Sequence, residues 1–251
     1  MDDADAQRLR GRVASGETLF FVHIPKTAGS TFVHFFRAAG PERSRFWYTP
    51  GERESFLTGQ DPSLRTLAVA GGHFPLHQAL DRLPGAGVFL SFVRHPVDRL
   101  VSYYRFARRS GASNSTADAA RQLELPAFLR FLQRERPRIL RNQQCRFLVA
   151  TAREHDDLRC GFAAVEGALQ RHALHLLPSD RCRAAIGLIA EAQGLPPGAD
   201  IVDKKVSTGG DGARADAASE AFILEHNRED LLLFDSVLAQ TTWSGDRARR
   251  S

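Results

Sequence analysis

Three short stretches of this chain carry residue types suited to holding an anion and activating a hydroxyl. The first is His23-Ile24-Pro25-Lys26-Thr27-Ala28-Gly29-Ser30-Thr31. Small residues let backbone N–H groups close in on an anion, and a helix starting at the end of the stretch adds its positive N-terminus. Lys26 supplies a point charge, and Thr27, Ser30 and Thr31 supply hydroxyl donors. The order is not that of a Walker A loop, because Lys26 precedes the glycine instead of following it. The second stretch runs from Arg94 to Ser102. A guanidinium at a strand end donates two parallel hydrogen bonds to a phosphate, and a serine two helical turns later adds a third. The third is Gly71-Gly72-His73, with His77 four residues on. Imidazole is neutral near pH 7 and accepts a proton from a hydroxyl. His73 is the first choice for such a base, and His77 is its alternative or a partner that orients the acceptor.

These residues need elements to position them. Thr18 to Ile24 (TLFFVHI) is a nearly continuous apolar run, the pattern of a parallel strand buried on both faces. It leads through the small-residue turn into STFVHFFRAAG, apolar at helical spacing with a glycine stop at Gly40. Leu67 to Ala70 predicts a second strand that runs into Gly71-Gly72-His73, where paired glycines leave room for a ligand or another backbone. Val88 to Val93 predicts a third, ending at Arg94, with Pro96 in the first turn of the next helix. On that helix Arg99, Arg105, Arg108 and Arg109 read as a basic face near the cleft, solvated in the first reading and in the alternative meeting the phosphate side or an acidic acceptor. Residues 110–118 read as a mobile loop and 119–172 as helical, with Pro126 and Pro137 as helix starts. Leu174 to Leu177 predicts a fourth strand, with Asp180 capping the helix after it. Alternating strands and helices predict an α/β fold with a parallel sheet, and ligands in such folds bind at the carboxyl ends of the strands. One domain over residues 1–251 is expected, with 1–16 and 244–251 disordered.

HIPKTAGST resembles the 5′-phosphosulfate loop of the sulfotransferases that use 3′-phosphoadenosine 5′-phosphosulfate (PAPS), in the branch of the heparan sulfate 2-O- and 6-O-sulfotransferases and their bacterial relatives. FVRHPVDRLVSYYR is similar to the 3′-phosphate motif of that family, an arginine followed by a serine eight residues on. GGHFPLHQAL resembles the Gly-His segment that provides the base in glycan O-sulfotransferases. The resemblance implies a three-layer, P-loop-kinase-like fold with a central parallel sheet flanked by helices. It also implies PAPS as co-substrate with no metal. Lys26 would contact the bridging oxygen of the phosphosulfate, and Thr27, Ala28, Gly29, Ser30 and Thr31 would hold the 5′-phosphate. Arg94 and Ser102 would hold the 3′-phosphate, and His73 would be the base. Lys204 and Lys205 fall where the family has a loop closing over the adenosine. Arg141 to Leu148 resembles a family helix of Asn-x-Gln-x-Arg-x-Leu character under the acceptor cleft, with Cys145 where a threonine is expected. His95 is read as structural. The expected acceptor bears a hydroxyl on a glycan, glycolipid or small metabolite. The alternatives are a small-molecule kinase and a non-catalytic nucleotide-binding relative.

Bulk properties bound these readings. The 251 residues suffice for one sizeable core. A net charge of +5 suits an anionic ligand but is too small to argue for nucleic acid. The three cysteines have no metal-ligand spacing and fit free thiols in a reducing cytoplasm. The polar N-terminal segment has no apolar run to serve as a signal or membrane anchor, and no stretch reads as a membrane span.

Overall fold

The structure is a computed structural model that describes residues 3–59, 64, 66–83, 87–195 and 214–247. Along the chain come α1 (Asp3–Ala14), β1 (Thr18–Val22), α2 (Gly29–Ala39), β2 (Ser44–Trp47), α3 (Pro50–Thr58), β3 (Val69–Gly72) and α4 (Leu76–Arg82). β4 (Gly87–Val93), α5 (Pro96–Arg109), α6 (Ser115–Gln122), α7 (Leu125–Glu135), α8 (Pro137–Leu140) and α9 (Gln143–Leu148) follow. α10 (Ala152–Asp156), α11 (Phe162–Arg171), β5 (Leu174–Pro178), α12 (Cys182–Ala192), α13 (Ala217–His226) and α14 (Arg228–Arg247) complete the order.

The five strands form one parallel sheet in the order β2-β3-β1-β4-β5. Successive strand residues point to opposite faces, and both faces are covered by helices. Phe20, Val22, Ala70 and Phe89 enter one core with Phe56 of α3, Leu76 of α4, Leu148 of α9, Val165 of α11 and Leu233 of α14. Leu19, Phe21, Leu90 and Phe92 enter the other with Phe32 and Phe36 of α2 and Ile186 and Ile189 of α12. The expected three-layer α/β architecture is therefore present. A third apolar cluster joins α5, α6, α7 and α13 beside the sheet.

Gly71 and Gly72 serve the sheet. A Cβ at Gly71 would collide with the Phe21 carbonyl and one at Gly72 with the Trp47 carbonyl, so the glycines admit neighbouring backbone. β3 accordingly runs on through both of them to the edge at which His73 stands.

Several local expectations differ from the structure. Residues 3–14 form α1 where a disordered lead-in is expected, because Leu9 and Val13, four apart, are buried in the α12 core. Residues 115–118 belong to α6, whose N-cap Asn114 accepts from the N–H groups of Thr116 and Ala117 at 3.1 and 3.0 Å. The small polar residues there start a helix instead of continuing a loop. At the other end α14 runs to Arg247, through half of the tail expected to be disordered, and no proline interrupts it. Asp180 does not cap α12: a 3₁₀ turn over Ser179–Arg181 precedes that helix, which has no side-chain cap. β2 is a strand that the sequence reading lacks.

Candidate active site

One cleft of about 1220 Å³ opens at the carboxyl edge of the sheet. Each strand delivers residues to it just past its end: Tyr48 after β2, His73 after β3, His23, Pro25 and Lys26 after β1, Arg94 after β4, and Ser179 and Asp180 after β5. This is where an open parallel sheet places ligands.

The loop between β1 and α2 is wound tightly. Lys26 and Ala28 have φ of 74° and 70°, in the left-handed region that non-glycine residues rarely adopt. Such residues, flanking one of ordinary φ, generate the concave run of backbone N–H groups that binds anions. Thr27 anchors the loop from below: it is fully buried and its hydroxyl donates to the Ile24 carbonyl at 2.9 Å. Its side chain is therefore spent on the loop, contrary to the expectation of a hydroxyl donor for the anion, and only its backbone is left for that task. Ala28, Gly29, Ser30 and Thr31 all line the cleft at the N-terminus of α2. The Lys26 ammonium lies 4.4 Å from the centroid of the Phe106 ring, an aromatic rest that sequence reasoning missed.

Arg94 lines the same cleft, with Ser102 two turns into α5. Its Nη1 reaches the Lys26 carbonyl at 3.4 Å, so the two basic sites touch. Its backbone is clamped from both sides by Gln144, whose Oε1 accepts from the Arg94 N–H at 2.8 Å and whose Nε2 donates to the Arg94 carbonyl at 2.8 Å. Gln144 is itself held by Asp230, which accepts from the N–H groups of Gln144 and Cys145 at 3.1 and 2.8 Å. The Asp230 carboxyl is raised by burial and opposed by the Arg99 charge. Arg99 is fully buried, donating to Gln143 Oε1 at 2.6 Å and to the Ile139 carbonyl at 3.1 Å. The expectation of a solvated Arg99 is thereby corrected: its two terminal nitrogens are held by α9 and α8, the Asp230 charge of α14 supports it, and its Nε is buried without a partner. Arg105 from the same helix does line the cleft, with Arg37 and Arg214. The residues expected under an acceptor cleft, Arg141 to Leu148, lie behind Arg94, and none of them lines the cleft. Cys145 is buried, and its thiol is pushed up by burial and by Asp230, away from nucleophilic use.

His73 stands at the opposite lip. Its ring centroid is 4.4 Å from that of His23 and 4.8 Å from that of Tyr48. Burial, then the charges of Arg53 and Lys26, lower it to about 4, so it is unprotonated at neutral pH. His23, which the sequence reading left without a role, is hydrogen-bonded through Nδ1 to the Tyr48 hydroxyl at 2.6 Å. It too is lowered, by burial and then by His73 and Lys26. His77 does not reach the cleft; it is buried with its ring 5.2 Å from that of His155. His95 is the N-cap position of α5 and its ring packs edge-on to Phe234, in keeping with a structural role.

Lys204 and Lys205 lie outside the described residues. Among the described residues there is no group of three or more His, Cys, Asp or Glu side chains placed to hold a metal.

The arrangement can hold two anionic groups side by side, at the loop and at Arg94, and can take a proton beside the first. The model of the sulfotransferase family matches residues 11–156, more than half of the chain and all of this loop, Arg94, Ser102 and His73. No curated protein matches the chain. The chain belongs to the sulfotransferase family.

Proposed function

We propose that this member of the sulfotransferase family moves the sulfuryl group of PAPS to an acceptor hydroxyl, on a carbohydrate or glycoconjugate, with His73 as base. The observation that carries the reading is that Lys26 and Arg94, from different strands, line one cleft whose far lip holds an unprotonated histidine. A bisphosphorylated nucleotide needs two basic pockets. The loop from Lys26 to Thr31 suits the 5′-phosphosulfate, and Arg94 with Ser102 suits the 3′-phosphate. Lys204 and Lys205 are assigned to the nucleotide side on charge and chain position alone.

In the reaction the acceptor oxygen attacks sulfur while the bond from sulfur to the bridging oxygen breaks in line. His73 takes the hydroxyl proton, and adenosine 3′,5′-bisphosphate departs with the bridging oxygen. Lys26 and the loop N–H groups face the charge that develops on that leaving phosphate, so the positive groups sit on the leaving side and the base on the attacking side. Arg53 and Lys26 near His73, with Arg37 on the cleft lining, favour an acceptor able to approach a basic surface. The three cysteines are buried thiols, which suits work in a reducing compartment such as the cytoplasm.

Titration with adenosine 3′,5′-bisphosphate tests the pockets, and labelled PAPS with a panel of glycans, glycolipids and hydroxylated metabolites tests the reaction. His73→Ala should lower transfer by about 10²–10⁴-fold, the usual worth of general base catalysis, with bisphosphate affinity nearly intact. Undiminished turnover in that variant removes His73 as base, and an absence of binding heat in the parent chain removes the nucleotide.

A further inference from the structure

His23 lines the cleft, takes no part in this mechanism, and lies close to the base. It follows β1 directly, is 6% exposed and stacks on Phe21 with ring centroids 5.3 Å apart. Its imidazole lies against Gly29 of the anion loop, where a Cβ would collide with the ring atoms Cδ2 and Nε2. On its other side the ring centroid of His73 is 4.4 Å away. His23 thus stands between the loop that takes the 5′-phosphosulfate and the base, and it lines the cleft there. Glycine at position 29 is explained by the same fact, since any side chain would displace the imidazole.

The protonation of this ring can be worked out. Burial, joined by the charges of His73 and Lys26, disfavours the imidazolium, so the ring carries one proton. The Tyr48 phenol keeps its own proton, its acidity being suppressed by burial. With the phenol donating to Nδ1 across 2.6 Å, the ring proton stands on Nε2. Nε2 is the nitrogen that faces Gly29, and among the described residues it has no hydrogen-bond partner.

The geometry points to His23 as a second substrate-binding histidine, whose Nε2–H, fixed by Tyr48, donates to an oxygen of the sulfuryl group and holds it in line between the loop and His73. The inference rests on the PAPS reading given above. It adds a group that senses sulfur rather than phosphate. The product bisphosphate lacks the sulfuryl oxygens, so the contact is lost once transfer is complete and does not hold the product back. Holding a reacting group in line is worth orders of magnitude in rate, and the rigid Phe21-His23-Tyr48 stack is suited to that work.

The test compares affinities for PAPS and for adenosine 3′,5′-bisphosphate by calorimetry, without acceptor, in the parent chain and in His23→Leu, His23→Gln and Tyr48→Phe. A hydrogen bond to a charged group predicts that His23→Leu weakens PAPS binding by about tenfold to a hundredfold, while bisphosphate affinity stays within about twofold of the parent on the same principle. His23→Gln, which returns an N–H at similar reach, should recover most of the loss. Tyr48→Phe should lose part of the PAPS preference, because Nδ1 is then free to take the ring proton. Unchanged PAPS affinity in His23→Leu overturns the inference, as does an equal fall for both nucleotides, which would mark His23 as a prop for the loop. Should His23→Leu not fold, Tyr48→Phe decides on its own: an unaltered preference for PAPS sinks the proposal. A parent chain that binds neither nucleotide fails in a different way, by removing the PAPS reading itself.

Discussion

Gln144→Ala is the most informative substitution outside the cleft, because Gln144 does not line the cleft and reaches it only through the Arg94 backbone. Gln144 is fully buried and spends its whole side-chain amide on the Arg94 backbone, accepting one bond from the N–H and donating one to the carbonyl, both at 2.8 Å. Each bond contributes about 0.5–1.5 kcal/mol net, so the pair is worth about 1–3 kcal/mol where water cannot replace it. The Arg94 backbone is only partly buried, which favours the lower half of that range. Denaturation by urea should show that loss as a lower midpoint with an unchanged slope. The effect on binding should be larger than the effect on stability suggests. On the proposed reading the Arg94 guanidinium must meet the 3′-phosphate in a fixed plane, and a charge-assisted bond of about 1.5–3 kcal/mol is forfeited when the backbone behind it drifts. Affinity for adenosine 3′,5′-bisphosphate should therefore fall by about tenfold to a hundredfold. Gln144→Glu should do no better, since one carboxylate oxygen would then oppose the Arg94 carbonyl. If Gln144→Ala loses stability as expected yet binds the bisphosphate like the parent, Arg94 is not held in place by this clamp and the reasoning fails.

Three further outcomes follow from His73 and Leu9. His73 is lowered to about 4, while a histidine in the unfolded chain titrates near 6.5. Between those values the unfolded chain binds the proton and the native one does not, so stability is lost as pH falls through that window. Denaturation measured from pH 7 to 4.5 should therefore show a shallower slope for His73→Gln than for the parent. The same lowering keeps His73 unprotonated, so with His73 as the base, as we propose, the acid limb of kcat/KM should turn down near 4 instead of near 6.5; a break at 6.5 would show that His73 is neither so buried nor so close to cations in solution. Leu9→Ala should cost about 2–5 kcal/mol, as for any fully buried leucine, with thermal denaturation as the measure; a loss under about half a kcal/mol would show that α1 does not dock on α12.

The strands that carry the loop and Arg94 are legible because their apolar runs are local: TLFFV and GVFLSFV must be buried on both faces wherever they fall in the sheet. β2 escapes the same test. It has four residues, begins Ser-Arg and is half exposed at the sheet edge, so its alternation is too short to register. With it went Tyr48 and the reason for His23. Arg99 shows a second kind of illegibility. Its neighbours on α5 look solvated, and its burial is decided by Asp230, Gln143 and Ile139, residues far along the chain. No local pattern reports a partner that distant. α1 was legible in principle, since Leu9 and Val13 stand one helical turn apart, but the pair is weak evidence amid charged residues.

The burial of so much charge behind Arg94 has a physical rationale in the strain at the loop in front of it. Lys26 and Ala28 hold left-handed backbone at about 1–3 kcal/mol each, and such conformations persist only where their surroundings over-determine them. Here the constraints come from two directions. Thr27 pins the loop to the Ile24 carbonyl, and the Arg94 guanidinium reaches the Lys26 carbonyl. The last of these works only if Arg94 is itself immovable, which is what Gln144, Asp230 and Arg99 secure. A chain that merely needed two basic side chains near a nucleotide would have no use for that relay. A chain that must present both anion sites already spaced for one ligand does, because each group ordered before binding is a conformational cost removed from the binding step.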